Sequence, residues 1–326
     1  MDGHATAIAH PIQGIVKYHG MRDADLRFPY HDSISVCTAP SHSLTTVAFD
    51  SDREKDHYVI DGETVTGSAA ARIRSVVDRV REIAETDTRI RLESANDFPT
   101  NVGFGSSASG FAAAARAATA AAGLELTDPE ISAIARRGSA SAARSVTGGF
   151  SILNDGVTDA DCQSHRLESS LTEDLQSVAG IVPKYKETGR AHEEATASHM
   201  FQARLAHIHD QIANARDGLR EGDFDRVFDI AERDSLSLAA TTMTGPAAWV
   251  YWQPETLEIF ETVRTLRNDQ GLPVYFSTDT GASVYVNTTA EHVETVEAAV
   301  RDCGVETRVW EVGGPSRILD DSKALF

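Results

Sequence analysis

The sequence predicts an α+β fold in which mixed sheets pack against helices. Residues 11–48 alternate short apolar runs with polar turns, which is typical of strands in a sheet. Apolar residues recur at helical spacing from Ile73 to Ile83, and this predicts an amphipathic helix over about 68–86. The last third indicates two strands joined by a turn over 274–287, a helix over 291–302 and a strand over 306–312.

The middle of the chain supplies most of the predicted helices. The polar stretch after Phe150 indicates a surface connection between two groups of elements. Before it we expect a strand over 90–93 and helices over about 106–123 and 128–146. After it we expect a strand over 178–182, two or three long helices within 194–242 and another helix over 257–266.

Length and composition favour a two-domain protein of the cytoplasm. The 326 residues, 41% of them hydrophobic, are sufficient for two packed domains or one large one, and we place a boundary near residue 175. No apolar run approaches the ~20 residues of a membrane-spanning helix, and residues 1–4 lack the basic and apolar segments of a secretory signal. Cys37, Cys162 and Cys303 form no CxxC pattern, so we expect buried free thiols in a reducing compartment.

The charge balance argues against a polyanionic partner. The formal net charge is −19, and 25 of the 30 basic residues are arginine. Because no run of basic residues is available to neutralise phosphates, we expect neither a nucleic acid nor an anionic membrane as partner. An acidic, lysine-poor surface suits high salt, where self-repulsion is screened. The composition therefore favours a halophilic archaeal source over an ordinary acidic cytosolic protein.

A glycine- and serine-rich loop over 97–110 continues directly into an alanine-rich helix. Glycines let a phosphate approach the backbone, serines supply hydroxyl donors, and a helix N-terminus presents unpaired N–H groups. The spacing is not GxxxxGK[ST], and such a loop alone is equally typical of a turn or a helix cap. The loop indicates a phosphate site that further motifs must support.

This loop resembles the PxxxGxxSSA phosphate loop of the GHMP kinase superfamily. Residues 14–23 with 33–36 resemble the IKYWGKRD…SSIS segment of its mevalonate diphosphate decarboxylase family. Four further segments are similar to the family's GSGSACRSxxGGF, TSxxFxxRxxHV, TFDAGPNA and VGPGP motifs, at 138–150, 198–208, 275–282 and 312–315. The resemblance implies a GHMP kinase-like two-domain fold, with an N-terminal ATP-binding domain over 1–175 and a C-terminal domain over 176–326.

The resemblance implies ATP-dependent phosphorylation of the C3 hydroxyl of a mevalonate phosphate, followed by loss of phosphate and CO2 to leave an alkene. ATP and Mg²⁺ are the implied cofactors, and Mg²⁺ is expected to arrive with ATP, with no protein ligand assigned. Ser107 is expected to contact the ATP phosphates because it stands at the helix N-terminus. The implied ATP-binding set is Asn96, Gly103, Gly105, Ser106, Ser107, Ser109 and Gly110.

Three residues are expected to act on the reacting groups. Asp279, two residues before Gly281, is the implied general base or hydroxyl-orienting group, although this pattern is also typical of a turn-forming aspartate. Lys17 lies among apolar residues and would stabilise charge on the C3 oxygen and the transferring phosphate, the alternative being an edge-strand charge. Arg144 can hold the substrate carboxylate through two hydrogen bonds.

The other implied residues bind the substrate. Arg72 lies on an amphipathic helix with several arginines, so a solvated face is an equal alternative for it. His207 and His209 lie about 200° apart on a helix, which argues against a shared metal ion. The implied substrate-binding set is Tyr18, Arg72, Ser139, Ser141 and Arg144.

Two departures from the family bear on the substrate. The family's WGK triplet is His19-Gly20-Met21 here, so a cation that helps to hold the distal charge of the diphosphate is missing. The stretch 186–194 also has fewer cations and more carboxylates than the family pattern, which would disfavour a diphosphate tail. We therefore expect decarboxylation of mevalonate 5-phosphate to isopentenyl phosphate for archaeal lipid synthesis, as in archaeal relatives of the family.

Other functions stay open from the sequence. Mevalonate 5-diphosphate is the alternative substrate, and a GHMP small-molecule kinase is the alternative enzyme. A kinase needs no carboxylate clamp, so Arg144 and Lys17 argue against it, and release of CO2 together with ADP distinguishes the two. A non-catalytic binding protein would show no ATP turnover. The oligomeric state is not fixed, with a homodimer as one option.

We predict that stability and activity rise as KCl increases to molar concentrations, because salt screens the repulsion between surface carboxylates. Thermal unfolding and the rate of ADP release would be followed from low to molar KCl. Sucrose is the control, because it stabilises folded proteins by exclusion without screening charge. An activity profile that is flat or falling with KCl would contradict the high-salt interpretation.

Overall fold

The computed structural model describes residues 3–98, 106–183, 192 and 194–326, and it has the predicted α+β architecture. The strands are β1 (Gly3–Ala9), β2 (Ile12–Val16), β3 (Met21–Asp23), β4 (Phe28–Pro29), β5 (Ser33–Ala39), β6 (Ser43–Asp50), β7 (His57–Ile60), β8 (Glu63–Thr64), β9 (Arg89–Asn96), β10 (Phe150–Leu153), β11 (Ser164–Leu167), β12 (Leu175–Ile181), β13 (Tyr275–Ser277), β14 (Val284–Thr289), β15 (Glu306–Val312) and β16 (Arg317–Leu319). The helices are α1 (Gly67–Ala84), α2 (Ser106–Ala121), α3 (Asp128–Arg136), α4 (Ala142–Thr147), α5 (Phe201–Glu221), α6 (Phe224–Met243), α7 (Pro254–Gln270) and α8 (Val293–Asp302).

The first large sheet has six strands in the order β16-β1-β6-β9-β7-β8. Helix α2 packs against β1 and β6, and α1 and α3 pack against α2. The alanines of α2 at 112, 113, 115, 117 and 118 are fully buried, and their small side chains allow the helix to lie close to the sheet. This packing fixes the N-terminus of α2, where the predicted phosphate loop ends.

The second large sheet has the order β11-β10-β5-β15-β12-β14-β13, with β2 paired to β5. Helices α5 and α6 cover the part formed by β2, β5 and β10, where Ile15, Ile34 and Phe228 are fully buried. Helices α7 and α8 cover the part formed by β12 to β14. This sheet takes strands from both sides of residue 175, and the division into two domains there stays a prediction.

Most predicted elements correspond to observed ones, including α1, β9, α2, α7, α8 and β15. The single helix predicted over 128–146 is wrong, because α3 ends at Arg136 and α4 begins at Ala142. At the turn between them, the Gly138 carbonyl accepts a hydrogen bond from Arg72 Nε (2.8 Å), and a Cβ on Gly138 would overlap the Phe111 ring. The break places Ser139 and Ser141 in a turn rather than inside a helix.

Two expectations from composition can be compared with the structure. All three cysteines are buried free thiols, as predicted, and burial raises the pKa of Cys37 to about 12 and that of Cys162 to about 11. Within the described ranges, no helix combines the length and hydropathy that a membrane crossing requires.

We predict that Gly148→Ala is more destabilising than Gly123→Ala, although both glycines have positive φ (66° and 69°). An alanine at the positive φ of Gly123 is strained by about 1–2 kcal/mol, and Gly148, with φ 66° and ψ 177°, lies in a region essentially restricted to glycine. At Gly148 the new Cβ would also overlap backbone atoms of Gly314 and Pro315, whereas nothing lies within 4 Å at Gly123. Urea unfolding of the two variants tests this, and equal losses of unfolding free energy would contradict it.

Candidate active site

A cavity of about 90 Å³ lies where the end of β2, the start of α4, helix α6 and the turn between β13 and β14 meet. We call it the small polar cavity because most of its lining side chains are charged or carry a hydroxyl group. It brings together six residues that the sequence assigned to three separate roles, from positions as far apart as 17 and 279. Its lining is Ile12, Gly14, Lys17, Tyr18, Ser107, Ser141, Arg144, His192, Leu238, Asp279 and Thr280.

Lys17 follows β2 directly and is buried beside Asp234 of α6. Its Nζ donates a hydrogen bond to Ser235 Oγ (3.2 Å) and lies 3.6 Å from Asp234 Oδ2. Burial lowers the pKa of Lys17, while the carboxylates of Asp234 and Asp279 oppose that shift and favour the ammonium form. Arg204 of α5 donates to Asp234 Oδ1 (2.8 Å) and to the Lys17 carbonyl (2.6 Å). The lysine is therefore held by a buried charge cluster of two cations and one carboxylate.

Asp279 lies half-buried in the turn after β13. Ser235, which accepts the hydrogen bond from Lys17, also positions this turn. Ser235 Oγ accepts a hydrogen bond from the Thr278 N–H (3.0 Å) while it also receives the Lys17 bond. Gly14 leaves the space between the two charged side chains, since a Cβ there would overlap Lys17 Cγ and lie 3.0 Å from Asp279 Oδ1. The ammonium and the carboxylate thus line one cavity.

Arg144 lies in the first turn of α4 and is almost completely buried. Its Nε donates to Ser35 Oγ (2.9 Å) and its Nη1 donates to Ser33 Oγ, both on β5. Burial lowers the pKa of the guanidinium, and nearby Tyr18 and Asp279 oppose the shift. Because its hydrogen bonds go to hydroxyl groups, the guanidinium keeps a charge that a carboxylate ligand can neutralise.

The serine pair and Tyr18 form another wall of the small polar cavity. Ser139 Oγ lies 2.8 Å from Ser141 Oγ, with Ser141 at the cavity surface and Ser139 buried behind it. The ring of His192 stacks on Tyr18 with centroids 5.0 Å apart and an interplanar angle of 20°, and Arg144 Cζ lies 5.4 Å from the Tyr18 ring centroid. These contacts fix the Tyr18 ring at the cavity wall.

A large cavity of about 670 Å³ adjoins the first at the N-terminus of α2, and Ser107 lines both. Asn96, Gly110 and Arg72 line the large cavity, and Arg72 also donates to the carbonyl of Gly138, the residue before Ser139, so its predicted role in substrate binding stays a prediction. Arg72 is half-buried, with Cζ 4.7 Å from the Phe111 ring centroid, and burial lowers its pKa to about 10.

The structure does not place the remaining predicted ATP ligands at the surface of either cavity. Ser109 is fully buried and lines neither cavity, and its Oγ lies 2.7 Å from Ser43 Oγ, which donates to Asn96 Oδ1 (2.5 Å). Ser106 is the first residue of α2, and its side chain is outside the description. Gly103 and Gly105 lie outside the described residues.

Comparison with known proteins identifies the family. The family model for the diphosphomevalonate decarboxylase-like N-terminal domain matches residues 9–164. Phosphomevalonate decarboxylase of Haloferax volcanii is 67% identical over 322 residues, which cover 99% of each chain. This chain belongs to the mevalonate diphosphate decarboxylase family. It is therefore an ATP-dependent decarboxylase of the mevalonate pathway, and its archaeal relative agrees with the source expected from the composition.

Solved structures of the decarboxylase family confirm the GHMP kinase-like fold. Mevalonate diphosphate decarboxylase from Staphylococcus aureus superimposes with a TM-score of 0.93 at 27% identity, covering 98% of this chain and 99% of the other. A complex of MDDEF with MVAPP, AMPPCP and magnesium superimposes with a TM-score of 0.91 at 26% identity, covering 98% and 100%. Binding of an ATP analogue and magnesium is thus established within this family.

Several residues of the decarboxylase site had no predicted role. Asp234 and Arg204 each interrupt a helical stripe of buried residues, and a charge at such a position is a sequence pattern that predicts a buried ion pair. Ser235 and His192 have no comparable pattern, because only the tertiary contacts bring them to the cavity.

His19 occupies the family's tryptophan position in the WGK triplet. It is fully buried, and among the described residues neither ring nitrogen has a hydrogen-bond partner. Burial, together with His192 and Arg204, lowers its pKa well below 6.5, so the imidazole is neutral at physiological pH. Met21 packs with Phe28 and Leu26 in an apolar cluster. Neither residue supplies a positive charge to the site.

Proposed function

We propose that this enzyme converts mevalonate 5-phosphate and ATP to isopentenyl phosphate, ADP, phosphate and CO2. The observation that carries the proposal is the convergence of Lys17, Arg144 and Asp279 on one small cavity that shares Ser107 with a larger one. A cation, a carboxylate clamp and a base at one point, next to a helix N-terminus, are the groups that this reaction requires.

The two cavities support an arrangement in which the nucleotide occupies the large one. Its volume of about 670 Å³ is within the usual range for small-molecule sites. Ser107 and the α2 N-terminus would then hold the phosphates at the junction with the small polar cavity. Mg²⁺ would arrive with the nucleotide, bound chiefly through its phosphate oxygens.

The chemistry assigned to the side chains has two stages. Asp279 accepts the proton of the C3 hydroxyl as its oxygen attacks the transferring phosphoryl group, and Lys17 stabilises the negative charge that develops there. The C3–O bond to the new phosphate then breaks with its electron pair on oxygen. The pair of the bond to the carboxyl carbon forms the double bond, and CO2 leaves. Arg144 orients the carboxylate for that cleavage.

The missing cation near Tyr18 supports the monophosphate as substrate. His19 is neutral, and Met21 is packed among apolar side chains at the place of the family's lysine. A diphosphate carries more negative charge than a monophosphate, and neither His19 nor Met21 offers it an additional cation. The 67% identical relative from Haloferax volcanii bears the name phosphomevalonate decarboxylase, which agrees with this assignment.

We predict that Asp279→Asn lowers kcat by about 10² or more, because the amide cannot accept the hydroxyl proton. The thermal midpoint should change little, since the residue is half-buried in a turn. Steady-state kinetics and thermal unfolding measure the two effects. Asp269→Asn, the same change at an exposed position in the last turn of α7, is the matched control and should behave as wild type. Near-normal turnover by Asp279→Asn would remove this carboxylate from the mechanism.

The substrate assignment predicts a higher kcat/KM for mevalonate 5-phosphate than for the 5-diphosphate in assays that record both ADP and CO2. Met21→Lys should move the preference toward the diphosphate by roughly 5- to 150-fold, the equivalent of about 1–3 kcal/mol for a charge-assisted contact. Met21→Gln is the control, because it adds polarity without charge.

Each outcome of these assays has a distinct meaning. A wild-type enzyme that decarboxylates the diphosphate faster at equal concentration would refute the monophosphate assignment. Formation of ADP without CO2 would indicate a kinase instead. An equal shift in Met21→Gln would show that the charge at position 21 does not set the preference.

A further inference from the structure

A third cavity, of about 20 Å³, lies on the other side of Asp279 from the small polar cavity. Leu238 and Asp279 line both cavities, so these two side chains form the partition between them. We call it the aromatic cavity because three of its residues are Trp249, Tyr251 and Trp252. The others are Leu238, Ala239, Thr242, Met243, Asp279 and Gly281.

The walls of the aromatic cavity are well packed. Leu238, Ala239, Thr242 and Met243 project from successive turns of α6, and the loop between α6 and α7 supplies the three aromatic residues. The rings of Trp249 and Tyr251 lie parallel with centroids 5.8 Å apart. Trp252 packs edge-on against Phe260 of α7 at 5.1 Å.

The substituents of the reacting carbon explain why an apolar partition is needed. This step rests on the proposed function, in which C3 carries a hydroxyl, a carboxymethyl arm, a phosphorylated arm and a methyl group. Asp279, Arg144 and the Tyr18–Ser141 wall take the first three by charge and hydrogen bonding. The methyl group remains, and Leu238 is a buried aliphatic side chain beside Asp279 that can receive it.

We propose that Leu238 contacts the C3 alkyl substituent and restricts it to methyl. The aromatic cavity behind it exceeds the ≳10–15 Å³ that one water-sized group requires. In the wild-type enzyme Leu238 separates this space from the reacting carbon. Shortening Leu238 joins the two cavities, and the site then accepts a larger alkyl group at C3.

The test compares kcat/KM for mevalonate 5-phosphate and its 3-ethyl homologue, with CO2 release as the readout. Wild type should prefer the methyl substrate by at least about 10-fold, the lower end of discrimination by one methylene in an apolar pocket. Leu238→Ala should change the ethyl-to-methyl ratio by at least about 10-fold in favour of ethyl. Leu236→Ala is the matched control, since Leu236 lies on the same helix but is exposed, and its ratio should equal that of wild type.

Two further variants separate substrate selection from damage to the fold. Leu238→Val removes less volume, so it should fold even where Leu238→Ala does not, and it should shift the ratio in the same direction by a smaller factor. Adding Ala239→Leu to Leu238→Ala refills the opened space and should return the ratio toward the wild-type value. A merely structural role for Leu238 would lower both kcat/KM values together and leave their ratio unchanged.

The outcomes distinguish this inference from the proposed function. An unchanged ratio in folded Leu238→Val or Leu238→Ala, or equal use of both substrates by wild type, would overturn the role of Leu238. Failure of wild type to release CO2 from mevalonate 5-phosphate would instead overturn the proposed function itself.

Discussion

The buried carboxylate of Asp234 is the contact on which the geometry of the site depends. It joins α6 to the end of β2 through the Lys17 N–H (2.9 Å) and to α5 through Arg204 (2.8 Å). Buried ion pairs contribute little net stability, because desolvation offsets most of the attraction, yet loss of one partner leaves an uncompensated charge. The cluster therefore fixes the position of Lys17 more than it stabilises the fold. Burial lowers the pKa of Lys17 and the charge of Arg204 adds to that shift, while the carboxylates of Asp234 and Asp279 oppose it.

A second buried network sets the distance between the lysine strand and the aspartate turn. Gln13 of β2 donates to Ser277 Oγ (2.7 Å) on β13 and to Asn287 Oδ1 (2.8 Å) on β14, and it accepts a bond from Ser177 (3.2 Å) on β12. Since β2 pairs with β5 rather than with these strands, side-chain bonds connect them, those of Gln13 together with that of the Tyr285 hydroxyl to the Ile12 carbonyl (3.4 Å). A fully bonded buried network of this kind favours one arrangement over near alternatives. The segment carrying Lys17 is thereby aligned with the turn carrying Asp279.

The sequence supports a good prediction of the fold, because long periodic segments such as α1 and short alternating ones such as β15 depend on local pattern. It fails at the break between α3 and α4, because the break comes from contacts of Gly138 with Arg72 and Phe111, which are distant in sequence. Six predicted site residues lie in the small polar cavity, since their motifs carry the family's geometry. Arg72 lines the adjoining large cavity beside the Ser139–Ser141 turn, and helical periodicity gives its face but not which cavity that face meets.

Buried cations lie at the small polar cavity, whereas His19 and Met21 beside Tyr18 carry no charge. This difference bears on both the choice of substrate and the rate of the reaction. The reacting end holds Lys17 and Arg144 in buried surroundings, where electrostatic interactions are strong because little water screens them. Arg144 Cζ also lies 5.4 Å from the Tyr18 ring centroid, whereas beyond Tyr18 the site is bordered by neutral His19 and by an apolar cluster that includes Met21. Further cations there would have to be desolvated as well, and they would repel Lys17 and Arg144 unless a larger anion compensated them. A monophosphate needs fewer cations than a diphosphate, so the site can keep its positive charge near the carbon where bonds break. The absence of a lysine at position 21 and the buried cations around Asp234 are therefore consistent with each other.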